Sequence, residues 1–199
     1  MKSRENIILE YTSIKEEIQN KIELHNNLIT FTITTTVALL AFAFSKENPF
    51  LFLVPFCILI PMSSRIAYYR LAFSKLSAYL IVFIEPELEE CNWETRNYFL
   101  ININITDTKT KIKNSIIMHY YDLFIISIIC YVLFLFYYLQ NVTFITINYI
   151  IIINVLWPLG LVIYEFILTK RINSGDKKKS EWIEKWNELK QLENENIQK

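Results

Sequence analysis

The chain has 199 residues, of which 53% are apolar and 15% aromatic, but it contains only two glycines and five prolines. Its 20 basic and 20 acidic residues give a formal net charge of zero, which argues against a strongly basic nucleic-acid-binding surface. A soluble domain of this size has no need of an apolar run as long as Ile116–Leu139, whose middle carries no charge. The composition therefore indicates an integral membrane protein.

Four apolar runs predict four transmembrane helices, over residues 27–44, 50–64, 116–139 and 144–168. The connectors within the two pairs are short, Ser45–Pro49 and Gln140–Thr143, and they contain one basic residue, Lys46. The other 19 of the 20 basic residues lie outside the runs and these connectors. Because basic residues stay on the cytoplasmic side during insertion, the sequence predicts a multi-pass protein of the inner (plasma) membrane with both termini in the cytoplasm.

The predicted fold is an all-α polytopic membrane protein with two transmembrane helical hairpins, cytoplasmic amphipathic helices and, as an open alternative, a small β-hairpin. Its five segments are an amphipathic helix (1–26), hairpin 1 (27–64), a cytoplasmic helix and connector (65–115), hairpin 2 (116–168), and a basic linker with an amphipathic helix (169–199). The second span is short and contains Pro55 and Pro61, so a re-entrant hairpin is the alternative for hairpin 1.

The two ends of the chain predict amphipathic helices. One face of the N-terminal helix carries Ile7, Tyr11, Ile14, Ile18, Ile22 and His25. In the tail, Trp182, Trp186 and Leu189 line one side of a helix over 180–192. These helices either pack their apolar faces together or lie flat on the inner leaflet, and the first is favoured because the N-terminal polar face is not basic. Candidates for lipid contact are Lys170, Arg171, Lys177, Lys178 and Lys179.

Apolar residues recur at three- and four-residue spacings after the second span. Six of them form one stripe, the candidate oligomerisation face: Ile66, Tyr69, Phe73, Leu76, Leu80 and Phe83. The spacing predicts a helix over 62–84 that continues the second span and ends at Glu85–Pro86, because a residue before proline is disfavoured in a helix. The stripe is either a coiled-coil-like seam of a homo-oligomer or a face that packs on the chain's own terminal helices.

Residues 87–113 are harder to assign. Two stretches show a period of two, which predicts a small β-hairpin that turns near Thr106–Asp107. In the first, Phe99, Ile101, Ile103 and Ile105 alternate with Tyr98, Leu100, Asn102 and Asn104, and in the second, Lys109, Lys111 and Lys113 alternate with Thr108, Thr110 and Ile112. The alternative is a loop that leads into a helix capped by Thr106 or Asp107.

Polar residues in or beside the spans are the candidates for a polar path or pore, and each also has a structural explanation. They are Thr30, Thr34, His119, Asp122 and Glu165. A threonine can line a path or bond the carbonyl four residues earlier in its own helix. His119 and Asp122 share a helix face as an ion pair, a proton relay or an interface cap. An intramembrane carboxylate such as Glu165 is a functional candidate by default, although near the inner end of a span it can also reach headgroup water.

Motifs of catalytic and cofactor sites are missing from the sequence. It has no GxGxxG or GxxxxGK[ST] loop, no HExxH and no GxSxG. Cys57, Cys91 and Cys130 are isolated, so we expect three free thiols and neither a disulfide nor a metal site. The sequence therefore predicts a protein that is not an enzyme and that uses no cofactor or metal.

Three stretches carry a resemblance over residues 4–97. They are Arg4-Glu5-Asn6-Ile7-Ile8-Leu9-Glu10-Tyr11 with Lys15-Glu16-Glu17-Ile18, Ala41-Phe42-Ala43-Phe44, and Ile84-Glu85-Pro86 with Trp93-Glu94-Thr95-Arg96. In these the chain resembles a widespread group of small membrane proteins of bacteria and archaea, a resemblance that implies no activity. The layout is also similar to SLATT-type effector domains, which are thought to perturb membranes, although hairpin 2 departs from their two-span unit.

The expected function is that of an oligomeric membrane protein that forms a pore or perturbs the membrane, as an effector in stress or phage defence. One alternative is a scaffold that recruits a soluble cytoplasmic protein through its helices. The other is a small-solute carrier. The expected partners are the lipid bilayer, further copies of the chain and, for a scaffold, a soluble protein, but no nucleic acid.

Overall fold

A computed structural model describes residues 4–46, 48–88, 91–102, 121–141 and 149–197, and within these ranges the chain is helical with no strand. Its helices are α1 (Arg4–Lys46), α2 (Phe56–Tyr79), α3 (Trp93–Asn102), α4 (Asp122–Asn141), α5 (Tyr149–Asn173) and α6 (Gly175–Ile197). Shorter helical turns lie at Pro49–Leu53, Leu80–Ile84 and Glu85–Glu87, the middle one of π type. The all-α prediction is confirmed for these residues.

Four helical stretches have the length and composition needed to cross a bilayer. They are Arg4–Lys46, Pro49–Glu87, Asp122–Gln140 and Ile152–Asn173. Helix α1 runs unbroken through the predicted N-terminal arm and first span because no glycine or proline interrupts it. It stops just before Asn48–Pro49, where the Asn48 side chain accepts a hydrogen bond from the Phe50 backbone N–H (3.0 Å) and begins the next turn. The four stretches agree with a multi-pass membrane protein.

Contacts divide the chain into two compact units. Unit 1 consists of Met1–Leu24, Tyr68–Ile116 and Ser174–Lys199, and unit 2 consists of His25–Ala67 and Ile117–Asn173. Unit 2 holds the apolar parts of α1 and α2 together with α4 and α5.

The interior of unit 2 is built from large apolar side chains. One buried cluster contains Phe56, Leu59, Ile66, Ala67, Leu123, Cys130, Val162 and Ile172, and a second contains Ala43, Phe52, Phe134 and Tyr138. Helices α4 and α5 are also joined by polar contacts: the Tyr131 hydroxyl donates to the Val155 carbonyl (3.2 Å), and Asn154 Nδ2 donates to the Tyr138 hydroxyl (3.1 Å). These bonds satisfy polar groups that would be costly in a bilayer.

Unit 1 has its own core, formed by the amphipathic faces that the sequence predicts. Ile18, Leu80, Ile84 and Leu88 are buried there, and Ile7, Tyr11, Ile14, Phe73, Leu76 and Phe83 pack around them. The Trp186 ring of the tail helix meets the rings of Tyr79 and Phe83 edge-on at 5.6 and 5.9 Å. Five residues of the predicted oligomerisation stripe thus lie in this unit, and Ile66 is buried in unit 2.

The stripe therefore packs on the chain's own helices, as the second interpretation of its spacing proposed. Leu80 and Ile66 are fully buried, Phe73, Leu76 and Phe83 contact the unit 1 core, and Tyr69 is half-buried. Homo-oligomerisation stays a prediction, but this stripe is not an open surface that motivates it.

Three boundaries differ from prediction. Residues 98–102, assigned by their alternation to a strand, lie in α3, so this part of the hairpin prediction was wrong, whereas the turn at Thr106–Asp107 and the second strand lie outside the described residues. The helix after the second span changes to a π turn at Leu80, before the predicted end. The basic linker shrinks to Ser174, because α5 runs to Asn173 and α6 begins at Gly175.

The carboxylate of Glu85 caps the N-terminus of helix α3. The Glu85 carboxylate accepts hydrogen bonds from the backbone N–H groups of Glu94 and Thr95, both at 2.8 Å, and from the Thr95 hydroxyl at 2.5 Å. The first turn of a helix has free N–H donors and a positive dipole end, so this anion stabilises it. The alternation of side chains in the sequence gives no indication of this cap.

Candidate functional site

The most deeply buried carboxylate of the transmembrane stretches is Glu165 of α5, whose exposed fraction is 0%. The hydroxyl of Ser63, in α2 and also fully buried, donates a hydrogen bond to Glu165 Oε1. The second oxygen, Oε2, has no hydrogen-bond partner among the described residues. One half of this carboxylate is therefore held by the protein and the other half is left open.

Two further polar side chains continue along the face of α5 that carries Glu165. Thr169 lies four residues later and is fully buried, and Asn173 follows after another four. Thr169 Oγ1 and Asn173 Nδ2 have no hydrogen-bond partner within the described part of the chain. Buried polar groups are nearly always bonded, because leaving one unbonded costs about 1–3 kcal/mol. Such a row indicates a place where a further polar group can bind.

The predicted threonines do not lie on the buried face of their helix, α1. Thr30 and Thr34 are exposed, and the Thr34 hydroxyl donates to the Thr30 carbonyl of its own helix (2.8 Å). The buried face of α1 carries Thr32, which donates to the Leu28 carbonyl (2.6 Å), and Thr36, whose Oγ1 has no hydrogen-bond partner among the described residues. The structure thus does not place Thr30 and Thr34 in the interior that holds Glu165.

The predicted pair of His119 and Asp122 is only half described. Asp122 begins α4 and is half-buried. An acidic residue in the first turn of a helix is stabilised by the helix dipole, which accounts for Asp122 without a relay. His119 lies outside the described residues.

A second carboxylate centre lies in unit 1 at Glu94, which is 5% exposed. Lys15 of α1 reaches Oε1 at 3.0 Å and Lys179 of α6 reaches Oε2 at 3.1 Å. The Ser77 hydroxyl of α2 also donates to Oε2. Glu94 therefore joins four helices, including the two ends of the chain.

The partners of Glu94 decide its charge. Burial acts to raise the pKa of this carboxyl, but the hydrogen bond from Ser77 and the charges of Lys179 and Lys15 outweigh it, so the pKa is lowered overall. Glu94 is consequently ionised at neutral pH and fully bonded, which suits a clamp between helices rather than an acid or base.

Four of the five predicted lipid-contact residues are exposed. Lys170 and Arg171 end α5, while Lys177 and Lys178 lie on α6, where Lys178 pairs with Glu181 at 2.6 Å. Lys179 differs because it is only 9% exposed and its ammonium is bound to Glu94. It is a structural residue of unit 1, and its assignment to lipid contact was wrong.

Each unit also has an open cleft. The cleft of unit 2, about 440 Å³, is lined by Phe50, Leu53, Val54, Phe56, Cys57, Ile60, Pro61, Trp157 and Leu161. It lacks the convergent polar groups that orient a polar solute. The groove of unit 1, about 410 Å³, is lined by Glu10, Ser13, Ile14, Lys75, Leu76, Tyr79 and Trp186, and the Tyr79 hydroxyl donates to Glu10 across it (2.7 Å).

Sequence reasoning missed Ser63, Thr169 and the two carboxylates of unit 1. For Thr169 a signal existed, since Glu165, Thr169 and Asn173 recur every four residues at the end of an apolar run. For Ser63 no local signal existed, because its partner is 102 residues away. The described residues bring together no group of three or more His, Cys, Asp or Glu side chains that could hold a metal.

No family model matches the chain. Comparisons with curated proteins and with solved structures also find no match. The resemblance of residues 4–97 to a group of small membrane proteins therefore rests on the quoted residues alone.

Proposed function

We propose that the protein is a non-enzymatic integral membrane protein that acts as an oligomeric, pore-forming effector, with a polar path centred on Glu165. The observation that carries this proposal is the buried carboxylate of Glu165, bonded through one oxygen to Ser63 and open at the other. Ionisable residues inside transmembrane helices are costly, and they mark ion or proton pathways where they occur.

An oligomer gives the exposed threonines of α1 a role. Thr30 and Thr34 face outward from unit 2, beside exposed apolar side chains such as Phe31 and Val37. A second copy packed on this face would place their hydroxyls at an interface between helices instead of against lipid. The proposed path thus includes Glu165 Oε2 inside each copy. It also includes the hydroxyls of Thr30 and Thr34 at the interface between copies.

We also propose that the termini and residues 65–115 lie in the cytoplasm, because 19 of the 20 basic residues lie outside the apolar runs and their short connectors. In a background without Cys57, Cys91 and Cys130, a membrane-impermeant maleimide should label Lys46→Cys and Asn141→Cys in intact cells. Ser174→Cys should react only after the cells are permeabilised. The reverse pattern would refute this orientation.

Conductance across a planar bilayer tests the pore. The purified wild-type protein should give discrete, cation-selective steps, and Glu165→Gln should reduce the conductance about tenfold, which corresponds to about 1.4 kcal/mol in the barrier. Glu16→Gln is the matched control, since it removes an exposed carboxylate of α1 in unit 1 and should change nothing. Silent bilayers at every pH and voltage would refute the pore, and equal conductance in all three proteins would refute the path through Glu165.

A membrane scaffold is the second candidate, and the groove of unit 1 favours it. Apolar Ile14, Leu76 and Trp186 lie beside charged Glu10 and Lys75 in that groove. Mixed surfaces of this kind with an aromatic anchor are typical of protein interfaces.

The scaffold predicts a soluble protein that co-purifies in a stoichiometric amount. Ser13→Arg should abolish this association, because Ser13 is exposed and lines the groove. Gln19→Arg, exposed on the same helix but outside the groove lining, should preserve it. Silent bilayers together with this pattern would select the scaffold over the pore. No observation favours a small-solute carrier, since the transmembrane cleft is apolar.

A further inference from the structure

We propose that Glu165, Ser63 and Thr169 form a binding site for a small monovalent cation within unit 2. This inference deepens the proposed function by naming what the Glu165 site binds, but binding does not require conduction. It rests on the burial of the three side chains, on the bond between Ser63 and Glu165, and on two oxygens, Glu165 Oε2 and Thr169 Oγ1, that have no hydrogen-bond partner among the described residues.

The carboxylate of Glu165 has no basic partner in the described part of unit 2. The Lys and Arg residues of the described part of unit 2 are Lys46, Arg65, Lys170 and Arg171, and all four are exposed. None of them forms a salt bridge with Glu165. An anionic carboxylate in an apolar interior without a counter-charge costs several kcal/mol. Within the described part of unit 2, no Lys, Arg or His side chain bonds to Glu165, so a bound cation or a proton remains to neutralise it.

The atoms available to bind a cation at this site are oxygens. The site presents the free Oε2 of Glu165 and the hydroxyl oxygens of Ser63 and Thr169, while sulfur or imidazole ligands form no cluster among the described residues. Carboxylate and hydroxyl oxygens are the ligands that hard cations prefer. Ser63 can donate its proton to Oε1 and still offer its lone pairs to a cation.

The charge of the site favours a monovalent cation. A single carboxylate balances one positive charge, so the complex with a monovalent ion is neutral and suits an apolar surrounding. A divalent ion would leave a net positive charge, and Ca²⁺ takes six to eight oxygen ligands, usually with several carboxylates. A proton on Glu165 is the competing way to neutralise the site, and it needs neither Thr169 nor a particular salt.

Carbodiimide labelling separates the cation from the proton. Dicyclohexylcarbodiimide reacts with protonated carboxyls in apolar surroundings, and the adduct on Glu165 can be quantified by mass spectrometry. The full-length protein in detergent is labelled at one pH in sodium, lithium or potassium chloride, and in N-methylglucamine chloride of equal ionic strength. A bound cation keeps the carboxylate ionised, so at least one alkali salt should slow labelling about tenfold or more.

The variants locate the ligands. Ser63→Ala and Thr169→Val should each raise the half-protecting salt concentration about tenfold, as expected when a contact to a charged group is lost. Thr32→Val is the matched control, because it removes a buried hydroxyl that already bonds its own helix, and its protection should equal that of the wild type. Glu165→Gln should give no adduct at this position.

A second readout does not depend on the reagent. The protecting salt should raise the Tm of the wild type relative to N-methylglucamine chloride and leave the Tm of Glu165→Gln unchanged. Labelling rates and Tm values that are the same in all four salts would overturn the cation site. Protection that survives in both Ser63→Ala and Thr169→Val would overturn it as well. Silent bilayers with salt-dependent protection would remove the pore and keep this site, and conductance with salt-independent labelling would do the reverse.

Discussion

Glu94 of unit 1 and Glu165 of unit 2 are both buried, with exposed fractions of 5% and 0%, and they differ in how their charge is balanced. Glu94 accepts hydrogen bonds from two lysines and a serine, whereas Glu165 accepts one bond, from Ser63. Glu85 is a third case, in which a helix N-terminus takes the place of a cation. Burial alone therefore does not identify a functional carboxylate. The useful distinction is whether the chain itself supplies the compensation, and of these three carboxylates only Glu165 lacks it among the described residues.

The largest expected effect comes from removing the Glu94 charge. Glu94→Gln should lower the free energy of unfolding of unit 1 by about 3 kcal/mol, because it leaves the buried ammonium of Lys179 without an anion. In a background with Trp157→Phe, which removes the tryptophan of unit 2, the fluorescence of the remaining tryptophans of unit 1 reports this unfolding during chemical denaturation in detergent.

Two further variants test the contrast between Glu94 and Glu165. Glu17→Gln removes one partner of the pair with Lys21 (3.0 Å), in which Glu17 is 53% exposed, and should cost about 0.5 kcal/mol or less. Glu165→Gln removes a carboxylate that has no basic partner among the described residues, so stability in N-methylglucamine chloride should be unchanged or higher. A loss as large as that of Glu94→Gln would mean that Glu165 is a structural residue, and the contrast between the two carboxylates would fail.

The pH dependence of unit 1 provides a smaller effect. The pKa of Glu94 is lowered in the folded state, so the unfolded state binds the proton more tightly. The stabilisation is fully present above the unfolded pKa, about 4.3, and is lost as the pH falls through the lower folded pKa. The Tm of unit 1 should therefore fall more steeply below this pH in the wild type than in Glu94→Gln. Parallel curves would show that other carboxyls dominate the acid response.

The sequence predicted those features that depend on neighbouring residues. Hydropathy identified the apolar parts of α1, α2, α4 and α5, and helical spacing identified the face of Ile18 and Leu80. It failed where the decisive partner is distant. The Glu85 carboxylate caps α3 where the alternation indicated a strand, and Glu94 removes Lys179 from the set of surface cations.

The residues of the candidate site likewise differ in whether the sequence could predict them. Glu165 was predictable because a carboxylate at the end of an apolar run is conspicuous, and Thr169 follows from the four-residue repeat. Ser63 was not predictable, since its role depends on how α2 and α5 pack within unit 2. Thr30 and Thr34 were selected for their hydroxyls, but composition does not tell which face of α1 is buried.

Small effects of opposite origin are expected at the only two glycines of the chain, one in each unit. A Cβ at Gly175 would lie 2.7 Å from Arg70 Nε and 3.0 Å from its Cγ, so the Arg70 side chain, which now lies over the Phe73 ring, would have to shift. A Cβ at Gly160, inside α5, would meet no atom within 4 Å. Gly175→Ala should thus destabilise unit 1 by about 1 kcal/mol, as overpacking does.

Gly160→Ala should instead leave the stability of unit 2 unchanged or raise it by about 0.5–1 kcal/mol, because alanine restricts the unfolded chain and favours the helix. Measured in the same detergent, the Tm should fall for Gly175→Ala and should stay the same or rise for Gly160→Ala. A destabilising Gly160→Ala would indicate that a neighbour covers this point of α5, and a second copy of the chain is the neighbour that the proposed oligomer would supply. Destabilisation that appears only at protein concentrations at which the oligomer forms would identify that copy as the cause.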